Sequence, residues 1–212
     1  MIAALLLASA PVATAIDADI AFARDAKRMG QWTAFRKWAD RDAVMFTPQA
    51  VWAKTFLKPL KDPPRSITWR PAQSYLSCDG RTAVNMGPWF TQDHRLAGFF
   101  TTVWQRGSAG WRWVYDGGIP TVAGSKGATP RSVKASCSAP PSAPPIQPPP
   151  ALKPTQALTT PQDNGRGESA DGTLGWDWKV TAKGERTFRV FLWNGKRFAE
   201  VIHAVDPARK AK

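Results

Sequence analysis

Between Ser66 and Gly118 the chain reads as four strands in a row: SITWRPAQSYLSCDG, RTAVNMGPWF, LAGFFTTVWQR and GWRWVYDGG. Turn signals separate them at Asp79-Gly80, Gln92-Asp93 and Gly107 to Gly110. Apolar and polar residues alternate where a period of two can be tested. Trp111, Trp113 and Tyr115 fall on one face, and Arg112, Val114 and Asp116 on the other. The four-residue loop at Gly107 to Gly110 places Trp104 opposite Trp113 and Thr102 opposite Tyr115. Such a block demands a sheet with one face buried. Helical patterns precede it, so something must cover that face.

Ile20, Ala23, Ala26 and Met29 recur at helical spacing and stop at Gly30, where a helix terminator is expected. Trp32, Phe35, Trp38 and Ala39 repeat the pattern. A short strand over residues 43–47 ends at Pro48, a third helix is expected over residues 51–58, and Pro63-Pro64 forces an extended connector. The fold class is therefore α+β, with N-terminal helices packed on a curved antiparallel sheet.

The remainder divides by composition. Ten of the 19 prolines lie between Pro130 and Pro161, and SAPPSAPPIQPPPALKP favours polyproline II, so residues 123–168 read as a linker. Leu174, Trp176, Trp178 and Val180 alternate, as do Phe188, Val190 and Leu192, and Asn194-Gly195 is a hairpin turn. These predict a three-stranded meander over residues 169–205, too small to stand alone, followed by a basic tail at 206–212. Ser77-Cys-Asp-Gly80 and Ser169-Ala-Asp-Gly172 match in type, through either a duplicated unit or shared turn chemistry.

Residues 2–15 form an apolar run ending in Ala13-Thr14-Ala15, the outline of a secretory signal with cleavage after Ala15, although no basic residue precedes it. The run is shorter than the roughly 20 residues that span a bilayer. The main domain then covers residues 16–122, in a periplasmic or secreted protein with no membrane span after cleavage. In an oxidising compartment, Cys78 and Cys137 are expected to form a disulfide, closing a loop worth on the order of 4 kcal/mol in the chain-entropy model. The net charge of +13 is spread over both halves, without a basic run or a nucleic-acid-reading motif, and reads as a solvated surface. Phosphate loops, dinucleotide fingerprints, zinc motifs and nucleophile elbows are absent from the sequence, so neither metal nor cofactor is called for.

Phe22, Gly30, Ala34-Phe35, Pro48, Trp69, Pro71, Ser77, Asp79-Gly80, Gly87, Trp89, Gly98, Phe99, Val103-Trp104, Gly110, Trp111-Arg112, Asp116 and Gly118 follow one another in an order that resembles the SnoaL-like, nuclear transport factor 2 (NTF2)-like superfamily. The resemblance covers about residues 17–120 and looks particularly like an exported bacterial branch. It implies a cone, in which a curved sheet wraps on helices and leaves a pocket at the open end. The fold hosts isomerases, dehydratases, cyclases and plain binding modules, so it names no reaction.

Enzymes of the superfamily place an Asp or His deep in the cone, often facing a Tyr or a second Asp. Candidates here are Asp116, His94 and Tyr75. His94 lies in what reads as a hairpin tip, Asp116 is as well suited to cap a turn at Gly117-Gly118, and Tyr75 fits a core or sheet-surface position. No Glu precedes Glu168. Trp69, Trp89, Trp104 and Trp113 are candidate pocket walls, each with an apolar face and one N–H donor, or else core. The expectation is thus a binding module without chemistry, taking a small apolar molecule or a cell-envelope protein. The alternatives are a lyase- or isomerase-type enzyme using Asp116, His94 or Tyr75, and a scaffold acting through the proline stretch.

Overall fold

The computed structural model describes residues 12–120, 131–139 and 163–207. Helix α1 spans Ala15–Met29 and opens with a capping box in which Thr14 and Asp17 satisfy each other's backbone N–H groups. Gly30 ends it at φ 107°. A Cβ there would overlap the Asp62 carboxyl, and that carboxyl accepts from the N–H and hydroxyl of Thr33 at 3.0 and 2.6 Å. Asp62 thereby caps the start of α2 (Gln31–Trp38), whose own N-cap glycine has no side chain to do so.

Strand β1 (Ala39–Phe46), strand β2 (Ala50–Trp52) and helix α3 (Ala53–Leu57) follow. The helix expected over residues 51–58 is thus shortened, because Val51 and Trp52 pair with β1 as an edge strand. Strands β3 (Thr68–Trp69) and β4 (Gln73–Leu76) flank Pro71, which breaks the first expected strand in two. Strands β5 (Thr82–Phe90), β6 (Leu96–Gly107) and β7 (Gly110–Pro120) complete the block.

The eight-stranded sheet runs β2-β1-β7-β6-β5-β4-β8, with β3 on β5. It is mixed rather than antiparallel as expected, because β1 runs parallel to β7, and β8 (Arg131–Lys134) runs parallel to β4. Strand β8 lies inside the segment read as linker. Its pairing continues through Ala135, which is buried, to the Cys78–Cys137 disulfide. The proline stretch over residues 140–162 lies outside the described residues, as do the first eleven residues of the expected signal and residues 208–212 of the expected tail.

The C-terminal unit has four strands, not three: β9 (Asn164–Glu168), β10 (Leu174–Val180), β11 (Arg186–Trp193) and β12 (Phe198–Asp206). Strand β9 was hidden in the linker reading because Asn-Gly-Arg-Gly-Glu has no apolar period. Its glycines instead let the indoles of Trp178 and Trp176 lie flat against the strand, where a Cβ would come within 2.6 and 2.2 Å of them. β9 to β12 repeat the antiparallel order of β4 to β7. The matching turns share one hydrogen-bond set, with Ser77 and Ser169 bonding Asp79 and Asp171 at 2.6 Å in each. The two turns also touch, since the Asp79 N–H donates to Asp171 Oδ2 at 2.6 Å.

Three layers result. Helices α1 and α2 cover one face of the large sheet around Phe22, Phe35, Trp104, Trp111 and Trp113. The small sheet covers the other face around Val84, Val103, Tyr115, Trp178 and Phe188. Helices on a curved sheet thus form the cone expected from the sequence, with a second sheet on its back.

Candidate functional site

One irregularity in β7 decides what the cone contains. Trp104 pairs with Trp113, as the loop length predicts, but its neighbour Val103 pairs with Tyr115, so β7 carries one extra residue at Val114. This bulge reverses the alternation beyond it. Trp111 and Trp113 stay in the helix-side core, whereas Tyr115 turns to the outer face and stacks on Phe188 at 4.2 Å between centroids. Asp116 is thereby turned inward. Thr102 pairs with Asp116 rather than Tyr115, and its hydroxyl donates to Asp116 Oδ1 at 2.7 Å. Strand β7 runs on to Pro120, so Asp116-Gly117-Gly118 is strand and not the turn that the glycines suggest.

Asp116 faces a cavity of about 340 Å³ at the open end of the cone. Its walls are largely aromatic: Phe22, Trp32 and Phe35 from the helices, Trp69 from β3, Trp89 from β5 and Phe100 from β6. Burial pushes the Asp116 carboxyl up to about 6, against the pull of the Thr102 hydrogen bond and the Arg186 charge. A carboxyl at that value is mostly ionised at neutral pH yet accepts a proton readily.

The small sheet contributes to the same cavity. Arg186 and Asp206 lie opposite each other on β11 and β12, bridged at 3.3 Å, and both line it. Arg186 is 4% exposed. It donates to the Gly118 carbonyl on β7, and its guanidinium lies over the Phe46 ring, 4.4 Å from the centroid. The C-terminal unit therefore builds part of the site.

The other sequence candidates scatter. His94 sits exposed at the β5–β6 hairpin tip, at φ 64°, and is not part of the cavity lining. Tyr75 pairs with Val84 and packs with the outer-face cluster, where burial raises its phenol. Trp69 and Trp89 line the cavity. Trp104 and Trp113 are wholly buried in the helix-side core and outside that lining.

Sequence reasoning missed Asp19, which presents as an ordinary polar residue near a helix start. It is wholly buried, and it accepts hydrogen bonds from Trp69 Nε1 at 2.9 Å, Asn85 Nδ2 at 2.9 Å and Trp104 Nε1 at 3.3 Å. Burial pushes its carboxyl up to about 7; the Asn85 and Trp69 bonds oppose this and the Asp116 charge adds to it. Asp19 fixes the indole that forms one cavity wall. The available signal was its place on the apolar stripe of α1, between Ala15, Ala18 and Phe22. Among the described residues, no group of three or more His, Cys, Asp or Glu side chains is arranged to hold a metal ion.

Neither a protein-family model nor a curated protein matches the sequence. Solved structures do. The chain is similar to a provisionally assigned ketosteroid isomerase from Parabacteroides distasonis, at 15% identity and a TM-score of 0.42, over 52% of this chain and 91% of that one. It is similar to a provisionally assigned dehydratase of the NTF2-like family from Streptomyces avermitilis, at 14% identity and 0.33, over 51% and 99%. A provisionally assigned aromatic ring hydroxylase from Novosphingobium aromaticivorans matches at 14% identity and 0.35, over 49% and 83%. None of them carries over a reaction.

Proposed function

We propose that the cone binds a small, largely apolar molecule and that Asp116 exchanges a proton with it, in the manner of an isomerase or lyase. The binding half of this reading is supported by the aromatic residues that line an open-ended cavity of the size small ligands occupy. The catalytic half is carried by one observation: a carboxyl raised to about 6 faces that apolar space, and the Thr102 hydroxyl holds it in place. This moves the balance from the binding module expected from sequence toward chemistry.

The step that suits such a group is proton transfer next to a carbonyl. The Asp116 carboxylate takes the proton as the C–H bond breaks. The electron pair enters a new C=C bond, and the carbonyl π pair moves onto oxygen. In a β,γ-unsaturated ketone, returning the proton to the γ-carbon as the carbonyl re-forms completes an isomerisation; in a β-hydroxy ketone, re-forming the carbonyl expels the hydroxyl, which leaves as water with that proton and completes a dehydration. A positioned acid–base group typically contributes about 10²–10⁴-fold to such a rate.

The export expected from the N-terminal sequence belongs to the same proposal. The disulfide supports it, and no described helix is long and apolar enough to cross a membrane.

The test is exchange of α-hydrogens in D2O, followed by NMR, for a panel of small cyclic ketones including 2-tetralone. Exchange above the buffer rate that falls at least 100-fold in a folded Asp116→Asn protein is the expected result. A protein that binds members of the panel but gives no Asp116-dependent exchange is a binding module, and the catalytic reading is then lost.

A further inference from the structure

The net charge runs through both halves of the sequence, but the fold gathers it. Residues 24–65, from the middle of α1 to the connector before β3, carry ten basic and four acidic side chains, whereas residues 163–207, which form the small sheet, carry seven of each. Two of those four acids are spent within the helical layer. Asp25 is 2% exposed and accepts from Lys37 Nζ at 2.5 Å and Trp38 Nε1 at 3.0 Å, and Asp62 caps α2. Arg24, Lys27, Lys54, Lys58, Lys61 and Arg65 are exposed and have no ion-pair partner among the described residues.

Specific contacts bring these cations together. The Asp62 carboxyl lies against Gly30, which carries Lys61 to the end of α1 where Lys27 and Arg28 sit. The Ile67 N–H donates to Gln31 Oε1 at 3.0 Å and holds the Arg65 stretch beside the first turn of α2. Arg36 donates to the carbonyls of Leu57 and Leu60 at 2.6 and 3.1 Å, pinning the stretch that carries Lys58 to the same helix. Mutual repulsion among these charges is not relieved inside the chain, and an anionic surface outside it would relieve it. The same ground borders the mouth of the cavity, since Gln31, Trp32 and Ile67 line that cavity. Trp32 and Ile67 are half-buried, and Ile20, one turn before Arg24 on α1, is 52% exposed. Apolar side chains set among exposed lysines and arginines suit an anionic bilayer: each cation near the headgroups adds roughly fivefold in affinity, and indole rings favour the lipid–water interface.

We infer that the face made by the end of α1, the start of α2 and the connector after α3 docks on an anionic lipid bilayer, with Lys27, Lys61 and Arg65 against the headgroups and the mouth of the cavity turned to the lipid. An apolar molecule then passes between bilayer and cavity without crossing bulk water. The docking face stands on charge and exposure and is independent of any chemistry at Asp116. The passage of a ligand rests on the reading of the cavity as a small-molecule site.

The test is flotation of the full chain with vesicles of mixed phosphatidylglycerol and phosphatidylcholine, against vesicles of phosphatidylcholine alone. Binding should need the anionic lipid and fall as salt is raised. Lys27→Gln, Lys61→Gln and Arg65→Gln combined should weaken it on the order of a hundredfold, about fivefold per charge. Lys179→Gln, Lys196→Gln and Arg197→Gln combined remove the same charge from the small sheet and should leave binding within about twofold. Hydrogen exchange with vesicles present should slow over residues 28–33 and 58–67 and stay unchanged over residues 174–193. No binding, binding that ignores the anionic lipid, equal losses in the two triple variants, tighter binding to duplex DNA than to the anionic vesicles, or protection of the small sheet in place of the helical face would overturn the inference. Its failure is separable from that of the catalytic reading. Vesicle docking without α-hydrogen exchange leaves the face standing and removes the chemistry. Asp116-dependent exchange by a protein that ignores vesicles does the reverse.

Discussion

Thr102 Oγ1 donates to Asp116 Oδ1 at 2.7 Å across the β6–β7 pair, and the two residues are opposite each other because β7 holds an extra residue at Val114. Without that bulge Thr102 would face Tyr115, and the carboxyl would turn to the outer face, against the second sheet. The bulge therefore trades one aromatic ring in the cone for one acid and gives the ring to the sheet interface.

Activity should follow the Asp116 carboxylate. The base form dominates above about 6, so the rate of ketone exchange should rise through that pH and level off. The Arg186 charge and the Thr102 hydroxyl both lower this value, so Arg186→Met and Thr102→Val should each move the midpoint upward. Carboxyl ¹³C NMR of Asp116 measures the shift without reference to turnover. A midpoint that moves down in either variant contradicts the electrostatic account.

Asp19 should make the fold weaken as pH rises. Its carboxyl ionises near 3.8 in the unfolded chain and near 7 in the folded one, so between those values the folded state holds the extra proton. Stability from this group is complete below about 4 and declines toward 7, by a few kcal/mol at the upper limit. In Asp19→Asn that slope should disappear. The variant should also be less stable at pH 5, because an amide nitrogen cannot accept from both Asn85 and Trp104. Parallel urea midpoints for the two proteins across pH 4–8 would sink the assignment.

The two sheets should melt as one unit. Tyr115 stacks on Phe188, Phe46 meets Trp178 at 5.2 Å, and Arg186 reaches the Gly118 carbonyl, so the interface is core and not a seam between free domains. Phe188→Ala should cost about 3–5 kcal/mol. It should lower a single transition seen alike by far-UV dichroism and tryptophan fluorescence. Two separate transitions would show that the C-terminal unit folds independently.

The N-terminus offers a measurable conflict. Cleavage after Ala15 would remove Thr14, which caps α1, and Ala15, which is buried and whose carbonyl accepts from Asn85 Nδ2 at 2.8 Å. A protein starting at Ile16 should be less stable than one starting at Val12, by about 1 kcal/mol for the cap alone. Mass spectrometry of exported protein, paired with melting of the two forms, decides whether the signal ends there. Equal stability would mean that the cap does not matter to the fold.

By itself the sequence determined the classes of element and their order. Two helices broken at Gly30, strands from Thr82 to Phe90 and Leu96 to Gly107 set off by turn residues, the His94 tip and the Trp104–Trp113 pairing are local or near-neighbour properties, although the buried stripe of α1 runs through Ala18, Phe22 and Ala26 and leaves Ile20 exposed. Strands β8 and β9 were illegible because they lack an apolar period: β8 exists only through β4, far earlier in the chain, and β9 through the Trp176 and Trp178 indoles of neighbouring β10 that lie on its glycines. Tertiary structure also decided which tryptophans wall the cavity, that Asp19 is buried under Trp69, and that Arg186 and Asp206 reach the cone from the second sheet. Above all it decided the direction of Asp116. Alternation along β7 assigns that side chain to the face opposite Trp113, and a single unpaired residue reverses it. A strand's pattern fixes its faces only while its register holds, and register is set by the neighbouring strand.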